Sequence, residues 1–202
     1  MIDINGYVMA GGLSSRMGSP KAAVILGDQT LLDSAIATLT QFTGSLPVIV
    51  VRSHSVINFQ IPDGLEILED DATEDDPRAP IFGVRAVLKK CDKEWATILA
   101  VDLPFVTAEL LNKLSSSRSQ GIDAVVATQP DGFPQVLCAL YRCEAMILEV
   151  ENALGRSDIS IRGALPEGRT LFVEFGPDQG GVDPLSNLNT PEDVQAAARM
   201  LS

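Results

Sequence analysis

Histidine is almost missing from this chain: among its 202 residues only His54 is one. That scarcity argues against a multi-histidine metal centre and a histidine-based triad as the seat of any chemistry. Cysteine is nearly as scarce. Cys91, Cys138 and Cys143 form an odd set without CxxC spacing, which argues against a zinc ribbon and a disulfide framework and suits a reducing cytoplasm. Basic charge is in deficit, with a formal net charge of −12, whereas general nucleic-acid binding needs a basic surface that displaces counterions. No apolar run approaches the roughly 18 residues of a membrane span. The opening MIDINGYVMAGG also lacks the basic and then long apolar regions of a secretory leader, so neither a membrane nor a nucleic acid is expected as partner and the cytoplasm is the expected location.

What is present is a strongly apolar chain, 46% hydrophobic, long enough for one domain over 1–202 with a substantial core. Its apolar residues are cut into short runs: GYVMA (6–10), PVIVV (47–51), LEILE (65–69), ATILAV (96–101), IDAVVAT (122–128), PQVLCALY (134–141) and LFVEF (171–175). Successive apolar positions of this kind belong to strands buried on both faces. Between them lie helical patterns. In TLLDSAIATL the residues Leu31, Leu32, Ala35, Ile36 and Leu39 share a face, and Thr30 with Asp33 resembles a capping box. IFGVRAVLKK, TAELLNKL with Thr107 as N-cap, EAMILEVENAL and NTPEDVQAAARML with Thr190 as N-cap complete the set. Strands alternating with helices predict an α/β fold, with right-handed crossovers and a mostly parallel sheet covered on both faces.

In such sheets ligands sit outside the carboxyl ends of the strands. Three polar clusters fall there: MAGGLSSRMGSPK (9–21), Asp70 with Asp71 after LEILE, and Asp102 after ATILAV. In the first, Gly11 and Gly12 let the backbone approach a ligand closely, and successive N–H groups can form an anion site. The spacing to Lys21 is neither GxxxxGK[ST] nor GxGxxG. The segment is either a strand-to-helix turn with two surface cations or a phosphate site in which Arg16 is the bidentate fork and Lys21 the point charge. Asp102, between an apolar strand and a proline, either caps a turn or ligates Mg²⁺, a cation that takes one or two carboxylates and completes its shell with phosphates and water. In APIFGVRAVL, Pro80 and Gly83 open a helix whose N-terminus points at the same edge, where its dipole favours an anion. His54 reads as a loop residue, and Cys138 and Cys143 as core thiols.

MAGGLSSRMGSPK resembles the AGGxSxRMGxxK segment of nucleotidyltransferases that build activated cofactors and sugars. LEILEDD, APIFGV, VDLPFV, PQVLCALYR and NLNTPEDV then follow in the order seen in the molybdenum cofactor guanylyltransferases, the MobA-like nucleotidyltransferase family. The resemblance covers nearly the whole chain. It implies a Rossmann-like three-layer α/β sandwich of the nucleotide-diphospho-sugar transferase type. It also implies transfer of GMP from Mg-GTP to the phosphate of molybdenum-molybdopterin, giving the guanine dinucleotide cofactor and pyrophosphate, with cofactor-delivery proteins and molybdoenzymes as downstream partners. By the same resemblance Met9, Ala10, Gly11 and Gly12 line the nucleotide, Lys21 holds its phosphates, Asp70 contacts its nucleoside side, Asp102 ligates Mg²⁺, and Arg16 steadies the triphosphate or the leaving pyrophosphate.

Three positions depart from the family pattern. The usual Asn at the end of the second strand is Val51, with Arg52 and Ser53 as the adjacent polar groups; Gly-Pro-Leu is Ala79-Pro80-Ile81; and the Cys before the metal-ligating Asp is Val101. The first two bear on the choice of base. Three rival readings remain at this level: cytidylyl transfer to the same cofactor, a sugar-phosphate nucleotidyltransferase, which the later motifs fit poorly, and a nucleotide-binding module without catalysis. Arg16, Lys21 and Asp102 together speak against the last, because binding alone does not need a metal ligand. Arg142, Arg156 and Arg162 lie in the half expected to meet the acceptor, either as contacts to its phosphate or as ordinary solvated arginines.

Overall fold

The structure is a computed structural model that describes residues 3–11, 17, 19–177 and 181–200. The chain runs β1 (Ile4–Met9), β2 (Ile25–Leu26), β3 (Gln29–Thr30), α1 (Leu31–Thr43), β4 (Val48–Val51), β5 (Ile67–Glu69) and α2 (Ile81–Lys90). It continues through β6 (Trp95–Ala100), α3 (Ala108–Ser116), β7 (Ala124–Thr128), β8 (Pro134–Arg142), α4 (Cys143–Gly155), β9 (Thr170–Glu174) and α5 (Pro191–Met200). Each strand and helix expected from the apolar patterns is present. The unexpected addition is the small β2–β3 hairpin, antiparallel and separate from the main sheet.

Seven strands form one sheet in the order β5-β4-β1-β6-β8-β7-β9. The β1–β4, β1–β6, β4–β5 and β7–β9 pairs are parallel, and only β8 runs against its neighbours β6 and β7. The reason is the connection. Residues 129–133 join β7 to β8 through a tight turn, with the Gly132 N–H donating to the Gln129 carbonyl (2.8 Å) and Gly132 at φ +81°. A link that short makes a hairpin, whereas a parallel partner needs a crossover of a dozen residues or more.

β6 and β7 are buried along their whole length, as strands covered on both faces must be. The chain moves from β1 to β4 through α1, and back across the sheet from β5 to β6 through α2. Right-handed crossovers in opposite directions place these helices on opposite faces; accordingly α1 packs on α3 and α2 on α4. The result is the expected three-layer sandwich, its core centred on Tyr7, Trp95, Tyr141 and the surrounding Leu, Ile and Val side chains. The strand order also sets a reversal point: from β1 the connection goes toward β4, while β6 lies on β1's other side. Among the described residues no helix is long and apolar enough to cross a membrane.

Candidate active site

The reversal point between β1 and β6 is where an open α/β sheet leaves a crevice at the carboxyl ends of its strands. Two segments meet there. Beyond β1, the Ala10 N–H donates to the Val50 carbonyl (2.9 Å), and the Val101 N–H donates to the Met9 carbonyl (3.3 Å), so the two strand ends stay bonded beyond the strands themselves. Gly11 then passes so close to β4's exit that a Cβ on it would lie 2.6 Å from the Arg52 amide nitrogen. Gly12 and Arg16 lie outside the described residues. The chain re-enters at Ser19 and Pro20, and a short 3-10 turn, Lys21–Ala23, carries the lysine.

Lys21 Nζ donates to Asp102 Oδ2 at 2.6 Å and to Asn189 Oδ1 at 2.6 Å. The Lys21 and Asp102 side chains are each 19% exposed, so the pair sits in the mouth of the crevice rather than in the core. Two of the residues expected at the site are thus in direct contact, although 81 positions separate them. Asn189 is a third member that residue-by-residue reading of the sequence did not single out. The signal was present in NLNTPEDV, where Thr190 and Asp193 announce a helix start. The Asp193 carboxylate accepts the N–H groups of Asn189 and Thr190 (2.8 Å each), and the Asp193 N–H donates back to the Thr190 hydroxyl (3.2 Å). The Asn189 N–H bond above all, then those of Thr190, holds the Asp193 carboxyl below the usual carboxylate range. The Leu188 N–H meanwhile donates to the Asp102 carbonyl (2.9 Å). The asparagine is therefore fixed from both sides before it reaches Lys21.

On the β4–β5 side of Gly11 a cavity of about 900 Å³ opens, lined by Met9, Ala10, Gly11, Val51, Asp70 and Pro80 among others. Asp70 is only 8% exposed. Its Oδ1 accepts from the amides of Ser53 (3.0 Å) and Ala72 (3.4 Å), and its Oδ2 lies 3.7 Å from the Arg52 guanidinium. Asp71, its neighbour, faces away and pairs with Arg85 and Lys89. Both polar groups beside Val51 are committed. Arg52 donates to the carbonyls of Thr73, Asp76 and Pro77 and lies over the Phe82 ring, while the Ser53 hydroxyl donates to the Ala72 carbonyl. Val51 itself is a buried apolar wall. His54 is exposed at φ +54°, on the cavity wall and away from Lys21 and Asp102.

Two features stand at this edge of the sheet: an ammonium with hard oxygen donors at the β1–β6 crevice, and a nucleoside-sized hollow toward β4 and β5. Among the described residues no group of three or more metal-ligating side chains occurs. Asp102, with Asn189 beside it, therefore offers a cation only part of a shell. That suits Mg²⁺ carried by a polyphosphate, which supplies the remaining oxygens. Of the arginines considered for the acceptor, Arg142 lies at the opposite edge of the sheet. β8 is antiparallel, so Arg142 pairs with Trp95 at the start of β6 and bridges to Glu94 (2.6 Å) and Asp123 (3.4 Å). Arg162 lies over the Phe133 ring, 6.0 Å from its centroid.

Residues 6–165 match the family described as the MobA-like NTP transferase domain. The chain belongs to this family. The molybdenum cofactor guanylyltransferase of Sinorhizobium fredii is 30% identical to this nucleotidyltransferase over 205 residues, covering 96% of this chain and 90% of that protein. The crystal structure of molybdopterin-guanine dinucleotide biosynthesis protein A from Archaeoglobus fulgidus superposes with a TM-score of 0.73 at 22% identity, over 98% of both chains. The 2-C-methyl-D-erythritol 4-phosphate cytidylyltransferase of Thermus thermophilus shares the fold at a TM-score of 0.63 and 15% identity, over 96% of this chain and 97% of that one. MobA-like transferases and a cytidylyltransferase thus share this sandwich, and this chain is a nucleotidyltransferase of the same fold.

Proposed function

We propose that this protein, as one nucleotidyltransferase domain spanning 1–202 and working in the cytoplasm, transfers GMP from Mg-GTP to the terminal phosphate of molybdenum-molybdopterin, releasing pyrophosphate. The observation that carries the reading is the Lys21–Asp102–Asn189 cluster at the β1–β6 reversal point, beside a hollow large enough for a nucleoside. The relatives named above supply the guanylyl and molybdopterin chemistry.

An oxygen of the acceptor phosphate attacks the α-phosphorus of GTP. A new P–O bond forms as the bond to the bridging α–β oxygen breaks, and the electron pair leaves with pyrophosphate. The acceptor oxygen is already an anionic nucleophile, so the protein need not supply one, in keeping with a chain that has one histidine placed away from the cluster. Catalysis then rests on positioning and on neutralising the charge spread over the phosphates. Met9, Ala10, Gly11 and Gly12 bind the nucleotide, Asp70 on its nucleoside side, and Lys21, with Arg16, meets its phosphates. Asp102 would hold the Mg²⁺, whose charge offsets that of the triphosphate.

The test is pyrophosphate release with Mg²⁺ and molybdenum-loaded molybdopterin, comparing GTP, CTP and ATP. Preference for GTP supports the reading. Preference for CTP moves the protein to cytidylyl transfer with the same machinery, and tight nucleotide binding without release with any of them would make it a binding module. In the same assay Asp102→Ala is expected to lower turnover by roughly 10²–10³-fold. Its stability should change by no more than about 1 kcal/mol, the ordinary worth of a partly exposed ion pair. Near wild-type turnover of this variant across Mg²⁺ concentrations would sink the role given to Asp102.

A further inference from the structure

The Lys21 cluster and the hollow together orient a nucleotide. Its phosphates belong at Lys21, between β1 and β6, so its base extends past Gly11 toward β4, β5 and the start of α2. At that end the polar side chains next to Val51 and at the end of β5 are spent. Arg52 is bound by three carbonyls, the Ser53 hydroxyl by a fourth, and Asp70 by two amides and Arg52. Val51 presents only methyl groups. Of the unspent polar side chains on the cavity wall, which include His54, Ser55 and Asn58, only Arg78, exposed in the loop entering α2, carries two parallel donors. Its side chain has no hydrogen bond, ion pair or ring contact among the described residues.

A guanidinium presents two parallel N–H donors in a rigid fork. Guanine offers two adjacent acceptors, O6 and N7, on its outer edge, whereas the adjacent acceptor pair of cytosine, N3 and O2, lies on the side of its sugar. Adenine places its N6 amino donor beside N7, and cytosine sets its N4 donor beside N3, so each turns a donor toward one prong of the fork. Asn58 and Ser55, on the same wall, can each satisfy donors and acceptors of any base and so discriminate less. Nor is Arg78 part of the Lys21–Asp102–Asn189 cluster, with which it makes no hydrogen bond or ion pair.

We infer that Arg78 is the specificity-determining residue for the base, its guanidinium fork taking the O6/N7 edge of guanine. This inference rests on the guanylyl reading above. It explains how a site without a polar side chain at Val51 can still select guanine.

The experiment measures kcat/KM for pyrophosphate release with GTP, 7-deaza-GTP, ATP and CTP in the wild-type protein and in Arg78→Ala and Arg78→Lys. The wild type is expected to prefer GTP and to use 7-deaza-GTP less well. Arg78→Ala should lose roughly ten- to hundred-fold with GTP, the worth of one bidentate base contact. It should lose less than about threefold with ATP and CTP, and should no longer distinguish GTP from its 7-deaza analogue. Arg78→Lys keeps the charge without the fork and should recover little of the selectivity. Because the residue is exposed, both variants should melt with the wild type, which separates loss of recognition from loss of folding. A uniform loss across all four nucleotides would make Arg78 a phosphate contact and overturn the inference, as would wild-type selectivity in Arg78→Ala. If the wild type itself shows no preference for GTP, it is the guanylyl reading that fails, and the inference falls with it.

Discussion

Gly11 is a glycine because the backbone leaving β4 occupies the place of its side chain. A Cβ there would stand 2.6 Å from the Arg52 amide nitrogen and 3.1 Å from the Val51 carbonyl carbon, neither of which can move without dragging β4 with it. Gly83 makes a useful contrast. Its missing Cβ would lie 2.5 Å from a neighbour too, but that neighbour is the terminal methyl of Met9, the far end of a flexible side chain. Gly11→Ala is therefore expected to destabilise by about 1–3 kcal/mol, as overpacking against fixed atoms does, and to raise KM for the nucleotide. Gly83→Ala gains up to about 1 kcal/mol of helix propensity within α2, offsetting much of the cost of moving Met9. Equilibrium urea unfolding of the two variants decides the matter: equal losses would mean that the rigid backbone approach at Gly11 does not set its identity.

At the scale of elements, the site depends on a segment remote from it in sequence. Residues 183–189 run across the carboxyl edge of the sheet. The Gln129 side chain donates to Asp183 (2.8 Å) and that of Gln135 to the Leu185 carbonyl (3.2 Å), Leu185 is fully buried, and Leu188 hangs on Asp102. The cap of α5 finishes the crossing, and its Asp193 gives it a pH dependence. A carboxyl held below its usual range stabilises fully above the ordinary aspartate value of about 3.9, and that stabilisation disappears as the pH falls through the lowered value in the folded protein. The melting temperature of Asp193→Asn should accordingly lie below wild type at pH 6 and converge on it as the pH drops below about 4. A gap that stays constant to pH 3 would show that the charge on Asp193 does not matter to the cap. This crossing also marks where sequence reading ran out. Continuous apolar runs such as ATILAV, and caps such as Thr30–Asp33 and Thr107, are local, and each formed as the sequence predicts. The two-residue strands of the β2–β3 hairpin are too short to show any alternation, though Gly27 at φ +69° marks the turn between them. That β8 runs antiparallel was legible in the Pro130-Asp131-Gly132 turn. Lys21 and Asp102 each stood out from their flanking residues, but Asn189 became a site residue only through a contact spanning 168 positions, which no local pattern encodes.

For the whole molecule the decisive quantity is charge. An excess of acids giving −12 repels every substrate this site would use, since both a nucleoside triphosphate and a phosphorylated acceptor are anions. Against that stand two cations of the site, Lys21 at its phosphate end and Arg78 at its base end, whose attraction is short in range. Ionic strength separates the two. At about 0.01 M salt the screening length is near 30 Å and the approaching anion feels the entire protein; at about 0.1 M it is near 10 Å and only the groups of the site still act. Raising salt across that interval should remove the repulsion first and increase kcat/KM for GTP at fixed free Mg²⁺. Toward about 1 M, where the screening length falls to about 3 Å, the local attraction is lost as well and kcat/KM should decline. The expected profile is a maximum near moderate salt, whereas a protein that steers anions by its overall field is fastest at the lowest salt. A monotonic fall from 0.01 M upward would show that these two cations dominate at all distances, and that the acidic surface is arranged away from the path of approach.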